Sequence, residues 1–127
     1  MSERLFTRAQ ADALLVRLRP LMERAREAAA GLAEGDAAQA MRATSGGNGG
    51  GTVARGLIEA GGTLRHLLEE ISALGVVVRD PSTGLVDFPA EREGRPVFLC
   101  WRLGEDAVEW WHDRSTGFAG RQRLEDK

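Results

Sequence analysis

The sequence predicts an α+β fold, a long antiparallel helical hairpin followed by a small antiparallel β-sheet. Three observations lead there. Apolar residues recur at steps of three and four over residues 7–43 and again over 52–74, and a glycine-rich stretch at 44–51 separates the two runs. From Gly75 to residue 123 the pattern becomes short β-branched and aromatic segments punctuated by Gly and Pro, the signature of a meander with a tail. With 127 residues, 43% hydrophobic and 28% charged, the chain is read as one domain, 1–127, able to bury a modest core.

The first helix opens at Thr7, which with Gln10 forms a capping-box pattern, and Phe6 is placed to staple onto the first turn. Ala11, Leu14, Leu18, Leu21, Ala25, Ala28 and Leu32 form one stripe that needs a partner helix. Pro20 falls on the opposite face, where losing a backbone donor kinks the helix without ending it. Asp36 is placed to cap a short continuation before Thr44. The 44–51 stretch, five glycines in eight residues, reads as a flexible loop with bare amides. It follows no strand and precedes no Lys-Ser/Thr, so it is not a nucleotide phosphate loop.

The second stripe comprises Val53, Leu57, Ala60, Leu64, Leu67, Ile71 and Leu74, flanked by Ile58 and Leu68, with Gly75 as C-cap. Each arm is on the order of 35 Å long at 1.5 Å per residue. Gly56, Gly61 and Gly62 weaken the second arm by about 1 kcal/mol each, so packing must hold it. A lone hairpin buries one side of each helix; the sheet or a second copy must cover the rest, and a homodimer is expected.

The β half reads as Val76–Val78, a Pro81–Gly84 turn, Leu85–Phe88, a polar Glu91–Arg95 loop, Val97–Arg102, a Gly104–Asp106 turn, and Val108–His112. Residues 114–123 form a Gly-punctuated tail that crosses back over the sheet. Two registers are open for the last hairpin. A four-residue loop sets Trp101 opposite Trp110, Leu99 opposite His112 and Cys100 opposite Trp111. A loop shorter by one sets Cys100 opposite Trp110, with both on the His112 side.

Charge and cysteine content exclude several classes. A net charge of −2 argues against a broad basic nucleic-acid surface, and no nucleic-acid partner is expected. No apolar run approaches the roughly 20 residues of a membrane span, and MSERLFTRAQ lacks a signal segment, so no membrane partner and a cytoplasmic location are expected. One cysteine, Cys100, excludes an intrachain disulfide and any zinc site needing two thiolates of the same chain.

The segments GVVVRDPSTGLVDFPA, VFLCWRLGED and WHDRSTGFAGR resemble the bacterial family catalogued as domain of unknown function 2203. The resemblance spans residues 75–121, with the helical half agreeing in pattern. It implies membership without implying a reaction. The family's recurring residues correspond here to Asp80, Gly84, Asp87, Phe88, Pro89, Cys100, Trp101, Arg102, Gly104, Glu105, Trp111, His112, Gly117 and Arg121. Asp113 stands where the family more often has Glu.

Among these residues, Asp87, Cys100, Arg102, Glu105, His112 and Arg121 are polar or reactive groups set among Phe88 and three tryptophans, the composition of a small-ligand pocket. The ligand set expected is Asp87, Cys100, Arg102, Glu105, Trp111 and Arg121. For a metal, His112 joins Asp87 and Cys100, with Asp113 as a further donor, an open site for zinc or iron. A Cys100 nucleophile activated by His112 needs both on one face. Arg102 and Arg121 beside the Gly117 and Gly120 amides suit a small anionic ligand. His66, with Glu59 and Glu70 on the polar face of the second helix, reads as solvated; a metal pair with Glu70 or a haem axial role lacks neighbouring ligands. The function expected is small-ligand or metal binding on the C-terminal sheet, with a non-catalytic homodimeric interaction module as the alternative.

Overall fold

The computed structural model describes residues 3–45 and 50–125, with side chains described outside 36–54 and 57. Helix α1 spans Arg8–Ser45 and helix α2 spans Gly50–Ala73. Five strands follow, β1 (Val77–Asp80), β2 (Leu85–Arg92), β3 (Arg95–Arg102), β4 (Trp110–Asp113) and β5 (Gln122–Arg123). They pair antiparallel in chain order, so the sheet is a meander without crossovers, and the fold is α+β as the sequence predicts. No helix among the described residues is long and apolar enough to cross a membrane.

The capping box forms: the Thr7 amide donates to Gln10 Oε1 at 2.9 Å and the Gln10 amide donates to Thr7 Oγ1 at 3.1 Å. Phe6 serves a larger purpose than a staple. Its amide donates to the Pro89 carbonyl at 2.7 Å and its ring meets Phe88 edge-on at 5.3 Å, which docks the helix start onto β2. Pro20 lies inside α1 and is exposed. The carbonyl it leaves without a helical donor belongs to Val16, itself 80% exposed, so water satisfies it. α1 continues through Asp36, which therefore caps no separate helix. The centre of the expected 44–51 loop, 46–49, lies outside the described residues, while Ser45 and Gly50 belong to the helices.

The buried side of α1 is wider than the expected stripe, because Leu15 and Met22 join Ala11, Leu18 and Ala25. These meet Leu67 and Ile71 of α2, and the same core takes in Val86, Phe88, Ala90, Val97, Leu99, Trp101 and Trp111 from one face of the sheet. Gly75, at φ +92°, ends the turn after α2.

Where a polar Glu91–Arg95 loop is expected, the strands run on to Arg92 and Arg95, which pair directly. The connection is the two residues Glu93 and Gly94 at φ +51° and +77°, the mirror-image turn whose twist matches the strands. Pro89 and Pro96 sit where the ladder has a neighbour on one side only: β1 pairing stops at Asp87 and β4 pairing stops at Val97. The tail crosses the sheet and returns as β5 on the β4 edge, with Trp110 opposite Arg123.

Gly84 closes the β1–β2 turn at φ +77°, and a Cβ there would lie 2.4 Å from Leu103 Cβ. Gly94 has the same φ with open space around it. Gly84→Ala is therefore expected to lose about 3 kcal/mol in urea unfolding, strain and clash together. Gly94→Ala should lose about 1 kcal/mol, strain alone.

Candidate functional site

Alternation along the strands sends Leu85, Asp87, Phe98, Cys100, Trp110 and His112 to the sheet face away from the helices. The register decides this. Phe98 lies opposite His112 and Cys100 opposite Trp110, the second of the two open alternatives, while Asp87 lies opposite Cys100. The reason differs from a tighter turn. β3–β4 pairing stops at Cys100 and Trp110, and the wide connection between them is held by α1. Arg19 donates to the Glu105 and Asp106 carbonyls, both at 3.0 Å, and Asp12 Oδ1 accepts the Val108 amide at 2.7 Å. Trp101 Nε1 donates to the Glu105 carbonyl at 2.9 Å from the core side.

Asp87, Cys100 and His112 meet beneath the crossing tail, at 2%, 1% and 2% exposure. One donor atom from each, an Asp oxygen, Cys Sγ and a His ring nitrogen, lies within 4.8 Å of the other two. His112 Nδ1 donates to the Asp113 carbonyl at 2.7 Å, which fixes the ring, and Nε2 lies 3.0 Å from Asp87 Oδ1. The second Asp87 oxygen accepts from Arg79 Nε at 2.8 Å. Among the described residues no buried side-chain polar atom lacks a partner. Asp87 is thus a buried carboxyl group held by a guanidinium on one oxygen and, across one shared proton, by the His112 ring on the other.

The Cys100 thiol is pushed up to about 12, chiefly by burial and next by the Asp87 charge; Arg121, whose Nη1 is 3.9 Å from Sγ, opposes the shift. In the metal-free protein it is a neutral thiol. Cys100 and His112 share one face, as a Cys100 nucleophile requires, while His112 Nε2 is hydrogen-bonded to Asp87 rather than to the thiol.

A cavity of about 320 Å³ opens above the trio, lined by Arg79, Leu85, Arg114, Thr116, Gly117 and Phe118 in addition to the three. The tail that covers it is pinned at several points. Arg114 Nε donates to the Val97 carbonyl at 3.0 Å and its Nη groups pair with Glu3. Arg102 and Arg121 both lie over the Phe118 ring, with guanidinium carbons 5.1 and 4.4 Å from its centre.

Of the residues read from the sequence as ligand-binding, Asp87 and Cys100 line the cavity. Arg121 and Glu105 stand beside it as an ion pair at 2.5 Å, with Glu105 Oε1 also accepting the Arg102 amide at 2.8 Å. Arg121 is thus already paired. Arg102 is exposed and stacked on Phe118, outside the cavity. Trp111 belongs to the opposite face, in the core against the helices, because it pairs with Leu99. Asp113 turns to Arg95 at 3.3 Å, and His66 is a solvent-exposed neighbour of Glu70 at 3.5 Å. The Gly120 amide donates to the Gly117 carbonyl, so it is not free for an anion.

Arg79, Arg114, Thr116, Phe118 and Leu85 were not singled out from the sequence. Leu85 and Arg114 had a signal: each lies two residues from Asp87 or His112 and so shares its face. Arg79 and Phe118 had none, since their approach depends on strand pairing and the path of the tail.

Residues 4–124 match the family described as uncharacterized conserved protein, DUF2203. The chain belongs to that family. No curated protein and no solved structure matches it. The DUF2203 description names no activity, so the chemistry rests on the site itself.

At pH 8 a thiol at about 12 is ionised in about one molecule in ten thousand. Iodoacetamide is therefore expected to leave Cys100 unmodified in the native metal-free protein and to label it fully in urea, as read by intact mass. The sign on stability follows. The folded value lies above the ordinary thiol value of 9.0, so burial of the neutral thiol stabilises fully below pH 9 and that stability declines as pH rises from 9 toward 12.

Proposed function

We propose that this DUF2203 domain binds a divalent transition metal, zinc or iron, through Asp87, Cys100 and His112, with one coordination position open to the cavity. The observation that carries this reading is the convergence of one oxygen, one sulfur and one imidazole nitrogen within 4.8 Å, all buried, at the base of a cavity. A tetrahedral ion would need such donors about 3.5 Å apart, so the trio would have to tighten by about 1 Å to hold it. His112 is oriented as metal-binding histidines are, with its other nitrogen donating to a backbone carbonyl. A bound ion would take the place of the proton shared by Nε2 and Asp87 Oδ1 and of the Cys100 thiol proton, so binding would release protons and strengthen with pH. Three protein ligands with a fourth position vacant is the arrangement of catalytic rather than structural zinc.

Native mass spectrometry of the tag-free protein against its denatured mass is the test. One metal per chain, lost on denaturation, is expected, and Cys100→Ser and His112→Ala should each reduce the stoichiometry to near zero. Metal content is the proper readout, because a buried His112 bonded at both nitrogens is expected to cost stability on removal whether or not a metal binds. Full-length wild-type protein that takes up no zinc or iron on reconstitution would overturn the reading.

The second reading, a homodimeric interaction module, draws support from the helical arm. Among the residues whose side chains are described, the fully buried helical positions end at Ala25 on α1 and begin again at Leu67 on α2, and Ile58 of α2 is 76% exposed. Light scattering is expected to give a dimer mass that Ile58→Glu lowers; a wild-type monomer at high concentration would remove this reading.

A further inference from the structure

The cavity above the trio is built for more than water. Its charged members are almost all neutralised in pairs: Arg114 by Glu3 and Arg121, beside it, by Glu105. Arg79 is the exception in geometry. Its Nε is committed to Asp87 Oδ2, its guanidinium carbon lies 4.8 Å from the Phe98 ring centre, and among the described residues its two Nη groups have no hydrogen-bond partner. The Arg79 side chain lines the cavity and is 44% exposed, held in place by its Nε bond to Asp87. A guanidinium anchored at Nε presents its remaining donors as a planar fork, which matches the two oxygens of a carboxylate.

Charge balance points the same way. A divalent ion with Asp87 and a Cys100 thiolate is neutral, and Arg79 then leaves the site with one positive charge in a partly enclosed space. That field suits a monoanion; a phosphate, carrying about −1.5 to −2 near pH 7, overcompensates it. Leu85 and Phe118 supply apolar lining, and about 320 Å³ is near the lower end of small-molecule sites, room for a molecule of several carbons rather than a nucleotide.

We infer that the open position takes a small aliphatic carboxylate, one oxygen on the metal, the carboxylate facing the Arg79 Nη fork and the carbon chain lying between Leu85 and Phe118. This rests on the metal reading above. It assigns to Arg79 the anion-binding part that the sequence pattern gave to Arg102 and Arg121.

The experiment uses the full chain loaded with cobalt(II), whose visible absorption reports a change of ligand at the fourth position. Butyrate is expected to shift that absorption saturably with one equivalent bound, while 1-butanol, the same chain without charge, leaves it unchanged. Arg79→Met is expected to weaken the butyrate response by about tenfold or more at equal cobalt content. Arg79→Lys, which keeps the charge without the fork, should recover it in part only, and circular dichroism checks that both variants fold. Cobalt bound with no butyrate response, a stronger response to inorganic phosphate, or Arg79→Met indistinguishable from wild type would each overturn the inference and leave the metal reading standing. Absence of cobalt binding by the wild-type protein would remove both.

Discussion

The clamp between α1 and the β3–β4 connection is the constraint on which the rest depends. Arg19 holds two consecutive carbonyls, of Glu105 and Asp106, and Asp12 holds the Val108 amide, so the start of β4 is positioned by a helix nearly a hundred residues earlier in the chain. The Trp101 indole closes the same connection from within the core. A shift of one residue here would exchange the two faces of β4, sending His112 to the helices and Trp111 to the cavity. A few hydrogen bonds from α1 therefore fix which side chains become chemistry and which become core.

The two faces of the sheet then serve different ends. One is dry and apolar, from Val86 to Trp111, and anchors the helical hairpin through Leu18, Met22, Leu67 and Ile71. The other pairs arginines with aromatic rings. Arg79 and Arg114 lie over Phe98, Arg121 and Arg123 over Trp110, and Arg102 and Arg121 over Phe118. Stacked guanidiniums keep their charges at the surface while their planes cover apolar rings, so the tail closes over the sheet without a second helical layer. Beneath that cover Asp87 is buried with both oxygens satisfied, one by Arg79 and one by His112.

Local rules were legible in the sequence wherever the interaction is local. The Thr7–Gln10 box, the apolar stripe of α1, the Leu64–Leu74 part of the second stripe (Val53 and Leu57 lie outside the described side chains), Gly75 at the end of α2 and the antiparallel order of the meander follow from residue spacing and turn chemistry. Pro20 inside a helix was legible as well, since its exposed face leaves the orphaned carbonyl of Val16 to water. The exact ends of strands were less so: Glu93 accepts a positive φ that a non-glycine residue seldom takes, so the β2–β3 turn is tighter than its polar composition suggested.

For the site, the sequence by itself determined the residue types, Asp87, Cys100 and His112, and through period two it determined that Leu85 shares a face with Asp87 and Arg114 with His112. It could not determine that the two faces coincide. That required the pairing of Asp87 with Cys100 and of Cys100 with Trp110, distances across strands that no single strand encodes. Tertiary structure alone sent Trp111 into the core, committed Arg121 to Glu105, and brought Arg79 from the edge strand to the Asp87 carboxylate. The physical reason is that hydrogen-bond register and salt-bridge choice are settled by competition among partners far apart in the chain, whereas periodicity and capping are settled within a few residues.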